Sequence, residues 1–251
     1  MAIADGMVKK HIPNFITCLN LFFGSIAVVY AGKDALVISS LFIGIAVAMD
    51  FFDGLAARLL KATTEIGQEL DSLADLVSFG VAPGLIAFQL LSHSGTSIQV
   101  GNVNILPFAG LLIPVFSALR LARFNIDTTQ AVHFRGLPVP ANALLFASFP
   151  LTIFHPLFSE SFLHGFIDQA LSNAVFLVAI TILFSLLLVG RFWLFSLKFK
   201  NLSWKNHKIQ FIFLLFALIL LIVFNFAAVP VIIVLYVVMS LAFSGKVINN
   251  K

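Results

Sequence analysis

The chain has 251 residues, 60% of them hydrophobic and 10% charged, with a mean hydropathy of +1.06 and a net charge of +4. Soluble domains carry about 25% charged residues, so this composition excludes a soluble enzyme and a nucleic-acid-binding domain and points into a lipid bilayer. Its one cysteine, Cys18, excludes an internal disulfide and, lying in an apolar run, reads as a small packing residue.

Apolar runs of roughly 18 residues or more can cross a bilayer. They predict spans at about 13–31, 36–60, 70–91, 105–123, 141–158, 172–190, 208–226 and 228–245. The expected class is therefore an all-α polytopic membrane protein of eight transmembrane helices. Residues 1–251 form a single membrane domain, with no length left for a soluble one. Alternate loops then hold fourteen of the fifteen Lys and Arg residues on one side and only Lys33 on the other. Positive charge is retained on the cytoplasmic side, so both termini are expected inside. In a prokaryote this is the inner membrane.

The first span carries Asn14, Thr17 and Asn20 at intervals of three, a polar stripe on an otherwise apolar helix. Val29-Tyr30-Ala31 has the look of a signal-cleavage site, but cleavage there would discard that stripe, so the span is expected to stay. The second and third spans meet in the most polar stretch of the chain. Six of the eleven acidic residues lie between positions 50 and 75. At about 100° per residue, Asp50, Asp53, Gly54 and Ala57 share one stripe at the end of the second span. Gly67, Asp71, Asp75 and Ser78 share one at the start of the third. The short link between them makes the helices antiparallel neighbours, so four carboxylates converge near the interface. Two unit charges 4 Å apart repel by about 4 kcal/mol at an effective dielectric of 20. An all-oxygen cluster of this kind suits Mg²⁺ or Mn²⁺, with Ca²⁺ as another occupant, and four carboxylates can hold two ions around a diphosphate. Gly54, Ala57 and Gly67 keep bulk away from the acids, and Arg58, a turn further on, can neutralise a phosphate oxygen.

The string Asp50-x2-Asp53-Gly54-x2-Ala57-Arg58-x8-Gly67-x3-Asp71-x3-Asp75 resembles the signature of the CDP-alcohol phosphatidyltransferases at every fixed position. That resemblance implies the family's helical bundle and a homodimer. It also implies that Asp50, Asp53 and Asp71 bind metal and the diphosphate of a CDP-linked lipid. Asp75 would then be the general base, also able to face metal. Asn14, Thr17 and Asn20 would line the nucleotide side with Gly54, Ala57, Arg58 and Gly67. Three further strings are similar to the phosphatidylserine synthase branch: Leu76 to Pro83, Leu119-Arg120-Leu-Ala-Arg123-Phe124-Asn125, and Phe134-Arg135-Gly136-Leu137-Pro138. The branch implies CDP-diacylglycerol and L-serine as substrates and CMP as a product. Serine carries a carboxylate, which guanidinium groups pair with well. Arg120, Arg123 and Arg135 are therefore candidates for the acceptor, with Asn125 for its amine and Ser78 beside them.

The catalytic part is thus expected at about 12–142. Residues 143–251, with no acid after Asp168, read as C-terminal transmembrane helices that form a lipid-facing wrap or a subunit contact. The basic cluster from Lys198 to Lys208, near Trp193 and Trp204, reads as an interfacial belt for anionic lipid. His133 has no Cys or His neighbours at metal-ligand spacing.

Overall fold

The computed structural model describes residues 2–62, 64–126, 134–153, 164–190, 192–194 and 208–248. The Lys198–Lys205 part of the basic cluster, Trp204 and His133 lie outside them, as does the stretch after Ile153 in the expected fifth span. Among the described residues, α1 (Ala2–Gly32) and α2 (Leu36–Leu60) are followed by α3 (Glu65–Asp75), a π-helical turn (Leu76–Val81) and α4 (Ala82–His93). The last three run on as one apolar span, Glu65–His93. A 3₁₀ segment (Leu106–Leu111) leads into α5 (Leu112–Ile126), then come α6 (Val139–Ile153), α7 (His164–Leu171) and α8 (Ala174–Val189). The helices α9 (Lys208–Phe224) and α10 (Ala228–Ile248) close the chain. Two short antiparallel ladders pair β1 (Gln99–Val100) with β2 (Val103–Asn104) and β3 (Phe134–Arg135) with β4 (Trp193–Leu194).

Each of the eight expected spans holds a helix, with ends shifted by a few residues except that α1 begins at Ala2, well ahead of the expected start. Five described stretches are long and apolar enough to cross a membrane. The last of these, Phe211–Ser240, is broken by a 3₁₀ turn at Asn225–Ala227, where Asn225 takes a φ of 52°. Phe213 meets Tyr236 with ring centroids 5.7 Å apart, so α9 and α10 fold back on each other as a hairpin. The apolar helices α6 and α8 are shorter, at 15 and 16 residues. The protein is an all-α polytopic membrane protein.

One stripe organises the bundle. On α1, from His11 onward, the buried positions are Pro13, Thr17, Asn20, Gly24, Ala27 and Ala31, spaced three and four apart as one helical face requires. Every one is small or polar, so neighbouring helices approach closely. Backbone carbonyls of this face accept side-chain hydrogen bonds from the next elements. Ser39 of α2 donates to Ala27 O at 2.8 Å, Ser78 to Asn20 O at 3.1 Å, and Gln89 of α4 to Ala31 O at 3.2 Å. Backbones also touch where α4 meets the 3₁₀ segment. A methyl group on Gly110 would lie 2.6 Å from Phe88 N and 2.7 Å from Gly84 O, so no side chain fits there.

Two sequence expectations change. Eleven of the fifteen residues of α6 are buried, packed against α2, α4 and α10. The C-terminal part therefore begins with an interior helix, and the lipid-facing character starts later, most plainly on α9, where Leu215, Leu218 and Ile222 are exposed. A uniformly apolar helix looks the same in sequence whether it faces lipid or protein. Cys18, expected to pack, is exposed on α1, because it falls outside the stripe.

Candidate functional site

The acids are set by the turn between α2 and α3. Lys61 ends α2 in the left-handed region, φ 51°, while Ala62 N–H reaches back to Ala57 O at 3.0 Å. This is the hydrogen-bonding pattern of a Schellman stop. Thr64 then caps α3, its hydroxyl oxygen accepting from Gly67 N–H at 3.0 Å. Only four residues separate the helices, so the two acidic stripes face each other.

Asp50, Asp53 and Asp71 each bring one carboxylate oxygen within 4.8 Å of the others. Asp53 is buried, and both Asp53 Oδ2 and Asp71 Oδ1 are buried without a hydrogen-bond partner. Orphaned carboxylate oxygens in a low-dielectric interior are costly. A bound divalent cation answers that cost, and an all-oxygen donor set suits a hard ion. The residues present therefore fit the metal that the sequence implies. Asp75 stands outside this trio. It is 8% exposed, and its Oδ1 accepts from Asn20 Nδ2 at 3.3 Å.

Beside the trio lies a cavity of about 260 Å³ between α1, α2 and α3. Seven residues expected on the CDP-lipid side line it: Asn14, Thr17, Asp53, Gly54, Ala57, Gly67 and Asp71. Pro13, Ala62, Thr64 and Gln68 complete the wall. The glycines serve it differently. A methyl group on Gly54 would meet nothing within 4 Å, so that backbone borders open space. One on Gly67 would lie 2.7 Å from Asn14 Oδ1 and 2.9 Å from Thr64 Oγ1. Thr17 Oγ1 donates to Pro13 O at 3.0 Å and also lies in hydrogen-bond reach of Asp53. With one hydroxyl proton it serves one acceptor at a time. Arg58 is turned onto its own helix, Nε donating to Gly54 O at 2.9 Å.

The residues expected around the acceptor are dispersed. Arg120 is within electrostatic range of Asp75 and of Tyr236 from α10, and its Nε is buried without a hydrogen-bond partner. Arg123 is exposed and donates to Val189 O at the end of α8, at 3.3 Å. Asn125 exchanges hydrogen bonds with Ser72 of α3, at 3.0 and 3.2 Å. Ser78 is fully buried against Gly24 and bonded to Asn20 O. The backbone of Arg135 pairs with Trp193 in the β3–β4 ladder. Sequence reasoning put Asn20 on the nucleotide side of the first span, whereas the structure sets it on Asp75. It left out Tyr236 altogether, since a tyrosine in an apolar helix signals nothing by itself.

Comparison with known proteins gives the family. The profile of the CDP-alcohol phosphatidyltransferase family matches residues 10–173, and the chain belongs to that family. A CDP-diacylglycerol–serine O-phosphatidyltransferase of Helicobacter pylori is 37% identical over 135 residues, 53% of this chain and 54% of that protein. A Bacillus subtilis protein of the same name is 37% identical over 135 residues, 52% of this chain and 70% of its own length. An archaetidylserine synthase of Methanothermobacter thermautotrophicus is 32% identical over 154 residues, 61% and 63% of the two chains. The chain thus spans about half the length of the Helicobacter relative it matches.

Proposed function

We propose that this protein transfers the phosphatidyl group of CDP-diacylglycerol to the hydroxyl of L-serine, giving phosphatidylserine and CMP. The observation that carries this reading is the division of labour among the acids. Three carboxylates share one point beside a small-residue cavity, and a fourth, within electrostatic range of all three, accepts from an amide. The relatives' names, one of them for a different lipid, have serine in common.

In this reading the cavity between α1 and α3 takes the nucleotide, with Gly54 and Ala57 allowing close approach. Mg²⁺ or Mn²⁺, two ions where all four acids take part, supplies positive charge to the diphosphate and the departing CMP when bound. Asp75 accepts the serine hydroxyl proton as that oxygen attacks the phosphorus carrying the diacylglycerol. The new P–O bond forms as the bond from that phosphorus to the bridging oxygen breaks, and CMP leaves with the electron pair. Arg120, within electrostatic range of Asp75, would meet the serine carboxylate. The acids lie at the end of the bundle that carries Arg58 and Lys61, which the charge asymmetry sets in the cytoplasm. A single membrane domain in the inner membrane, assembled as a pair, is part of the same reading.

The test is CMP release by the purified protein given CDP-diacylglycerol and one alcohol at a time. Serine should support release, chelation should stop it, and Mg²⁺ or Mn²⁺ should restore it. Release with glycerol 3-phosphate, inositol phosphate or choline but not serine would replace the acceptor. Cation transport in proteoliposomes without CMP release would replace the enzyme by a transporter.

A further inference from the structure

We infer that Asn20, a first-span residue outside the acidic signature, is a positioning residue that holds Asp75 in place as the base. The inference rests on the function proposed above and assigns a role within that site. Asn20 is fully buried, and its side-chain amide is the hydrogen-bond donor to Asp75 Oδ1. The same residue is fixed a second time, because its backbone carbonyl accepts from Ser78 Oγ, three residues beyond Asp75. Those two bonds lock α1 to the helix carrying the base at successive turns.

The other half of the amide shows what the residue is for. Asn20 Oδ1 is buried with no partner. An unsatisfied amide oxygen in a bilayer interior is a net cost, and an apolar residue would fill the place without it. Packing therefore does not explain an asparagine here. A donor to a carboxylate does, since hydrogen bonds to ionised groups are the stronger kind. The direction of the pull matters too. Asn20 approaches from α1, whereas Asp50 and Asp53 project from α2. Tethering Oδ1 toward α1 orients the carboxyl group and leaves Oδ2 to take a proton.

Asn20→Leu and Asn20→Asp both keep the branched heavy-atom skeleton and remove the neutral amide donor. In both, kcat for CMP release with serine should fall by about tenfold or more, while KM and equilibrium binding of CDP-diacylglycerol stay within about twofold. A kcat within about twofold of the unmodified protein in either variant overturns the inference. A rise in KM for CDP-diacylglycerol at unchanged kcat also overturns it and returns Asn20 to the nucleotide wall. Loss of both binding and turnover in both variants assigns it to scaffolding alone, which overturns it as well. Failure of the unmodified protein to use serine is a separate result and refutes the underlying function instead.

Discussion

Asp53 and Asp75 are equally buried, at 6% and 8% exposure, yet their surroundings differ. Asp53 keeps an orphaned oxygen beside two other carboxylates, whereas Asp75 leans on a neutral amide. The two should therefore fail differently. Asp75→Asn should cut turnover by about 10²-fold or more, the scale of general-base catalysis, and leave CDP-diacylglycerol binding largely intact. Asp53→Asn should weaken lipid binding as well and raise the Mg²⁺ concentration needed for activity. Equilibrium binding measured beside CMP release separates the two, and near-normal turnover in Asp75→Asn would remove the base assignment. The acidic stripe was legible in the sequence because residues three and four apart share a helix face. The partners of Asp75 and Asn125 were not. Asn20 and Ser72 lie 55 and 53 residues away, and no local pattern encodes such contacts.

Between elements, the decisive join is the turn from α2 to α3 and its seat against α1. Gly67→Ala would push a methyl group into Asn14 Oδ1 and Thr64 Oγ1. Overpacking of that kind costs about 1–3 kcal/mol, so both thermal stability in detergent and affinity for CDP-diacylglycerol should fall. Gly54→Ala meets open space, so stability should hold while the KM for the lipid rises as the methyl group enters the cavity. Equal stability loss in the two variants would mean that the cavity does not lie between them. At this scale the antiparallel hairpin followed from its short link. The end of the second span at residue 60 was legible too, but the left-handed turn at Lys61 that makes it was not, because a lysine there carries no sequence signal comparable to glycine's. The burial of α6 was equally hidden: its composition is what lipid and protein interior both accept.

For the molecule as a whole, fourteen basic residues against one make a prediction about orientation. In a Cys18→Ser background, a cysteine at Lys33 should react with a membrane-impermeant maleimide in intact cells. A cysteine at Lys61 should react only after permeabilisation. The reverse pattern would place the acids outside, away from cytosolic serine. The span that carries Asp71 and Asp75 also answers to two masters across the thickness of the membrane. Its lower half must aim acids at α2, and its upper half must drive Ile86, Leu90 and Leu91 into the core. The π turn between them, with Ala82 N–H bonded to Val77 O, holds one residue more than regular winding needs. That surplus shifts the phase of one half against the other, so both demands are met by a single rod. Deleting one residue there would restore even winding and leave a rod that still spans the bilayer, with its chemistry rotated away from the partner helix.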